Sequence, residues 1–160
     1  MRLALFQPDI PQNVGAAIRL TACLGVELDL IEPCAFPLDD RALRRTALDY
    51  GSLARVARHD SWKRFLEHPA RLDGRLILFT TKGARSLTQV NFTAGDTLLM
   101  GAESSGAPEF VHDAAQERLR IPLVAGARSL NLVTAAAMAL GEALRQTDGF
   151  PLDDSLMSAP

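Results

Sequence analysis

Short apolar runs alternate along this chain with longer stretches of helical periodicity. Arg2 to Phe6 reads as a first strand, since Leu3, Ala4, Leu5 and Phe6 are consecutive and apolar. Pro8 and Pro11 break that run. A helix then enters near Asn13 and Gly15 and continues to about Leu24, with Gly25 placed as a C-terminal cap. Val26 to Ile31 alternates and predicts a second strand. Asp39 and Asp40 stand as caps before a helix containing RALRRTALDY. Leu53 to Ala57 predicts a short strand and Trp62 to Glu67 a short helix. Leu76 to Thr81 is a strong central strand that ends in a turn at Lys82 and Gly83. Thr97 to Met100 is another, and Pro108 to Glu117 a helix with proline near its first turn. The last strand spans Leu119 to Val124. Beyond a turn at Gly126, residues Leu132, Ala136, Ala139, Leu140, Ala143 and Leu144 share one face of a helix that reaches Gln146.

Strands alternating with helices predict an α/β fold, a mainly parallel sheet with helices on both faces. Ligands of such sheets bind at the carboxyl ends of the strands. Three loops of unusual composition leave strand ends: Thr80 to Gly83, Gly101 to Pro108 and Gly126 to Asn131. If they converge they form one pocket. Asn13, Ser129 and Asn131 stand at helix entrances, where a short polar side chain caps backbone N–H groups or helps to line a ligand site.

A chain of 160 residues, 48% apolar and 22% charged, fits one globular domain. Residues 1–150 are assigned to it and 151–160 to a disordered tail, the polar stretch beginning at Thr147. No apolar run reaches the roughly 18 residues of a membrane span, and MRLALFQPD is too short for a signal peptide, so a cytoplasmic protein without membrane contact is expected. Cys23 and Cys34 suit buried, reduced thiols, and His59, His68 and His112 lack zinc-ligand spacing, so no metal is expected. The net charge of −2 excludes a uniformly basic protein. Locally, however, Arg41, Arg44, Arg45, Arg55, Arg58, Lys63 and Arg64 face only Asp49 and Asp60, an excess that suits phosphate contact. Tyr50 and Trp62 fall inside this stretch, placed either to stack on bases or to pack in the core.

Two familiar motifs fail. GAESSGAP has the spacing G-x-x-S-x-G, which puts Ser104 one place late for a nucleophile elbow. Neither a P-loop nor a G-x-G-x-x-G fingerprint is present.

PQNVGAAIR (Pro11 to Arg19), GAESSGAP (Gly101 to Pro108) and IPLVAGARSLNL (Ile121 to Leu132), in that order, resemble the three motifs of the SPOUT RNA methyltransferases, the SpoU- and TrmD-related enzymes. LDYGS after a double arginine, followed by TTKG, narrows the resemblance to the minimal TrmL-like branch, which methylates the ribose 2′-OH of the tRNA wobble nucleotide. The resemblance covers Met1 to about Gln146. It implies a C-terminal trefoil knot, an exception to the rule that chains do not thread loops. It implies S-adenosylmethionine in that knot, lined by Phe79, Thr80, Gly101, Ile121, Ser129 and Leu130 largely through backbone groups. It also implies a homodimer in which each active site is completed by the partner, and the alanine-rich face of the last helix would suit that interface.

The implied reaction, methyl transfer from a sulfonium to a ribose oxygen, needs alignment and help for a poorly acidic hydroxyl, with no metal. Arg19 matches the family arginine assigned to activating the 2′-OH. Arginine side chains keep their proton, so stabilising an alkoxide and binding the adjacent phosphate is the easier role. Asn13 would orient Arg19 or the ribose, and Glu103 and Asn131 would complete the polar wall. Arg41, Arg44, Arg45, Arg55 and Arg58 would hold the anticodon stem-loop backbone. The expected substrate is the wobble cytidine or uridine (position 34) of leucine-type tRNAs. The alternatives are another tRNA or rRNA site, or an RNA-binding member of the fold with weak or no turnover. Ser105, Ala107 and Val133 depart from the branch's usual arginine, leucine and small polar residue.

Overall fold

The computed structural model describes residues 1–38, 50, 53–83 and 85–152. The apolar runs build a seven-stranded sheet in which every pairing is parallel. Its strands are β1 (Arg2–Phe6), β2 (Glu27–Ile31), β3 (Val56–His59), β4 (Leu76–Phe79), β5 (Arg85–Ser86), β6 (Thr97–Met100) and β7 (Glu117–Arg120). They lie in the order β3-β2-β1-β6-β4-β7-β5.

Side chains alternate across a strand, so the sheet feeds two cores. Leu3, Leu5, Leu28, Leu30, Ile77, Phe79, Leu98, Met100 and Leu119 face helices α1 (Pro11–Leu24) and the last helix, here α5 (Leu132–Gln146). Ala4, Phe6, Ile31, Leu76, Leu78 and Leu99 face the short helices α2 (Trp62–Leu66) and α4 (Glu109–Ala114). A further single turn, α3 (Pro69–Leu72), follows α2. Both faces are covered, which is why the central strands β1, β4 and β6 read as largely apolar runs. Trp62 belongs to this second core, edge-on to Phe6 at 5.6 Å between ring centroids, so packing rather than base stacking accounts for it.

Several boundaries move. The last strand ends at Arg120, not Val124: Pro122 has no N–H to give a ladder, and Val124 is 81% exposed. The helix expected from Pro108 to Glu117 is only Glu109–Ala114, because Ala115 is already extended and Glu117 is claimed by β7. The third strand is Val56–His59, three residues later than its apolar composition suggests, in register with Leu28 to Ile31. Cys23 is exposed and Cys34 half-buried, both as free thiols. The alanine face of α5 is spent inside the chain, with Ala136, Ala139 and Ala143 fully buried. It therefore cannot be the dimer surface. The helix expected after Asp39 and Asp40 lies outside the described residues, as does the tail from residue 153 onward.

Charged groups are also buried along the sheet. Arg2 donates to both Asp29 oxygens, at 2.7 and 2.9 Å, and also meets Glu27. His59 Nε2 lies 2.7 Å from Asp29 Oδ1. Arg75 donates to Asp96 at 3.0 and 2.7 Å. Burial pushes the Asp96 carboxyl up, but the bonds from Arg75 and Thr93 outweigh it and hold the group below its ordinary range.

Candidate active site

The site begins where β1 and β6 stop. From β1 the chain passes to α1 on one face, and from β6 to α4 on the other. Adjacent parallel strands whose connections leave in opposite directions open a crevice at their carboxyl ends. Residues 7–10 and 101–107 line that crevice.

One chain of hydrogen bonds crosses it. Asn131 is the N-cap of α5, its Oδ1 accepting from Val133 N–H at 2.9 Å and Thr134 N–H at 3.2 Å. Its Nδ2 donates to Asn13 Oδ1 at 3.0 Å. Asn13 Nδ2 in turn donates to Glu103 Oε1 at 2.7 Å. Glu103 Oε2 accepts the Asp9 N–H at 2.9 Å. Asp9 Oδ2 accepts the Ser104 N–H at 3.1 Å and the Ser104 hydroxyl. Five side chains thus tie the start of α5, the first turn of α1 and the loop after β6 into one unit.

Asn13 is not the N-cap of α1. Ile10 holds that position and Pro11 begins the helix, leaving Asn13 third in the helix and buried. Both polar ends of Asn13 are used by Glu103 and Asn131, so it does not orient Arg19. Arg19 lies six residues on, about 9 Å along the axis and about 120° around it. It is exposed, and its guanidinium sits 4.9 Å from the centroid of the Tyr50 ring. The structure therefore joins Asn13, Glu103 and Asn131 but leaves the same chain's Arg19 apart from them.

The expected cofactor residues sit on neighbouring strand ends, since β6, β4 and β7 are adjacent. Phe79 turns its side chain into the core, leaving only its backbone for a ligand. Thr80 N–H donates to Leu119 C=O at 2.9 Å, fastening the β4 exit to β7. Gly101 is required by packing: a Cβ there would come within 2.6 Å of the Gly106 backbone. Ala102 and Gly106 exchange bonds of 3.0 and 2.8 Å to close the loop, with Gly106 at φ +71°. Ile121 is half-buried; Ser129 and Leu130 are exposed. Among the described residues, 122–130 hold one backbone hydrogen bond of their own, Ala127 N–H to Val124 C=O at 3.1 Å. That loop also exposes Leu123, Val124 and Leu130. Unspent backbone groups beside apolar side chains suit a flat heteroaromatic ligand with a polar edge.

Of the expected RNA-binding residues, Arg41, Arg44 and Arg45 lie outside the described residues. Arg55 lies 3.6 Å from Glu27, and Arg58 pairs with Glu32 at 2.9 Å. Strand pairing brings these carboxylates in from β2 and the residue that follows it, so the local positive excess is smaller than the linear count. Cys34, in the loop after β2, has its thiol pushed up to about 11 by burial, then by Glu32 and Glu103. Sequence reasoning missed Asp9 and treated Ser104 only as a failed nucleophile. The available signal was position, because both leave carboxyl ends of neighbouring strands. Among the described residues, no group of three His, Cys, Asp or Glu side chains could hold a metal, and no helix is long and apolar enough to cross a membrane.

A parallel sheet with a crevice at β1 and β6, and three glycine-bearing loops at neighbouring strand ends, is the frame of a methyltransferase of the SpoU class. The pattern of the SpoU rRNA Methylase family matches residues 1–141, and the chain belongs to that family. It is 50% identical over 150 residues to a tRNA (cytidine(34)-2′-O)-methyltransferase of Ancylobacter novellus, covering 94% of this chain and 95% of that one. It is 41% identical to the protein of the same name from Escherichia coli K12, covering 94% and 96%. Among solved structures, one described as giving insight into 2-OH methylation of C/U34 on tRNA aligns with a TM-score of 0.83 at 42% identity, over 91% of this chain and 94% of that one. The SpoU methyltransferase AviRb of Streptomyces viridochromogenes, solved with AdoMet, aligns at 0.81 and 25% identity, over 91% and 60%.

Proposed function

We propose that this protein transfers a methyl group from S-adenosylmethionine to the ribose 2′-hydroxyl of the wobble nucleotide, cytidine or uridine 34, of tRNA. The observation that carries the reading is the Asn131–Asn13–Glu103 chain, which fixes the three family motifs against one another at the strand ends. Near-full-length relatives named for this reaction support the nucleotide. Leucine-type tRNAs are the substrate class within the proposal.

S-adenosylmethionine supplies an activated methyl on a sulfonium when bound. Thr80, Gly101, Ile121, Ser129 and Leu130 would hold it through backbone groups, with Phe79 closing the floor. Asn131 holds α5 in place and Asn13 holds Glu103, so these three act by positioning the loops. Arg19 keeps its N–H donors exposed and is the group that reaches the ribose oxygen and the adjacent phosphate. Its distance from its own chain's Asn13 supports a homodimer in which Arg19 serves the partner's site. Arg41, Arg44, Arg45, Arg55 and Arg58 belong to the anticodon stem-loop contact in this proposal, and the enzyme works in the cytoplasm.

The test is transfer of labelled methyl to tRNA lacking wobble 2′-O-methyl groups, with nucleoside mass spectrometry of the product. Wild type labels nucleotide 34 of leucine tRNAs. Arg19→Ala lowers the rate at least about 100-fold while S-adenosylmethionine affinity stays. Label at another nucleotide replaces the substrate, and an active Arg19→Ala removes Arg19 from the mechanism.

A further inference from the structure

Arg19 has an uncommon neighbour. Among the described residues it has no carboxylate partner, and the contact that restrains it is the Tyr50 ring at 4.9 Å. Tyr50 is itself anchored: its carbonyl accepts the Leu53 N–H and the Ala54 N–H, each at 3.0 Å, in the turn that leads into β3. That strand pairs with β2, and β2 pairs with β1, whose end feeds α1. Ring and guanidinium are therefore carried by segments joined to neighbouring strands of one sheet.

The two possible kinds of partner for an arginine act differently. A carboxylate would occupy two of its five donors and offset its charge. An aromatic face attracts the cation through the ring quadrupole, and a guanidinium stacked flat on it keeps its N–H groups, which lie in its plane, pointing outward. A ring thus limits where a long, flexible side chain can go while leaving its donors for a substrate oxygen or phosphate.

We propose that Tyr50 is a positioning residue for Arg19, holding the guanidinium by the face of its ring and leaving the donor edge for the ribose and phosphate. This rests on the reading of Arg19 given above. The phenol hydroxyl has no part in it, and neither does stacking of Tyr50 on a base.

The full-length enzyme is assayed with leucine tRNA lacking the wobble methyl and with labelled S-adenosylmethionine, under single turnover at saturating concentrations. Tyr50→Leu lowers the transfer rate about three- to thirty-fold, with tRNA half-saturation moving less than the rate. Tyr50→Phe stays within about three-fold of wild type and Tyr50→Trp equals or exceeds it. In the Arg19→Ala background Tyr50→Leu adds no further loss, because the ring then has nothing to hold. S-adenosylmethionine affinity reports that each variant is folded, and Tyr50→Met replaces the leucine variant if that one loses it.

Three outcomes overturn the proposal. A Tyr50→Phe variant as slow as Tyr50→Leu would assign the role to the hydroxyl. Losses that multiply in the double variant would make Tyr50 independent of Arg19. A loss confined to tRNA half-saturation would make Tyr50 a base-stacking residue. A fully active Arg19→Ala would instead sink the role given to Arg19, a failure distinguishable from these.

Discussion

Two polar clusters occupy different parts of the same sheet. Along the β1, β2 and β3 side of the sheet, Arg2, Asp29 and His59 form a buried set that runs from the first residue of β1 to the last of β3, each at most 6% exposed. Their bonds join strands that are already neighbours. At the carboxyl ends, Asp9, Asn13, Glu103, Ser104 and Asn131 form a line that joins segments up to 118 residues apart and borders exposed loops. The first cluster satisfies charges that folding has buried. The second fixes loops that the sheet alone would leave independent. Composition does not tell them apart, since both mix carboxylates with nitrogen donors. What they join does: the first links paired strands along their length, the second links the loops that parallel strands bring together at their carboxyl ends.

The widest separation between the clusters should come from Asp29→Ala. It leaves the buried Arg2 without its principal partner and His59 without its carboxylate contact to Asp29, at a cost of roughly 3–5 kcal/mol. The melting temperature should fall by roughly 10 °C, while methyl transfer per folded molecule is retained. Loss of transfer without loss of stability would erase the distinction. Asn13→Ala should do the reverse. It removes one bond to a carboxylate and one to an amide, worth about 1–2 kcal/mol, while Asn131 still caps α5. Transfer should fall about 10- to 100-fold, as the 101–107 loop loses its tie to α1. Calorimetry and single-turnover assays on the same preparations check both.

The sheet was legible because its central strands are buried on both faces and spell plain apolar runs, Leu3–Phe6 and Leu76–Phe79 among them. The same rule misled at Ile121 to Val124, where apolar residues serve an exposed loop. Asn131 as a helix cap was legible from its place before an alanine-rich face. Its second bond to Asn13 was not, because a contact between residues 118 apart depends on the crossover of strands and leaves no local pattern. The charge of the basic stretch was overread for a similar reason: Glu27 and Glu32 are far in sequence from Arg55 and Arg58, and the pairing of β2 with β3 brings them together. Arg19 was legible as a chemical group from its motif, but its Tyr50 partner was not, since helix periodicity says nothing of what stands opposite an exposed side chain.

The smallest expected effect reads the site without assaying it. Cys34 lies near enough to Glu103 for that carboxylate to raise its thiol, after burial and Glu32, and Arg58 acts against them. With Cys23→Ser removing the exposed thiol, the pH dependence of alkylation should place Cys34 at about 11. Glu103→Gln removes one negative charge, favours the thiolate and moves the midpoint down. Glu32→Gln, the stronger of the two neighbours, moves it further down. Asp29→Asn, in the buried cluster, leaves it in place, since that carboxylate is absent from the groups that act on the thiol. A midpoint that followed Asp29 as closely as Glu103 would mean that the two clusters communicate through β2, and the division between a structural and a functional cluster would fail. A midpoint that follows Glu103 makes Cys34 a reporter of the charge at the crevice, usable on variants too slow for a methyl-transfer assay.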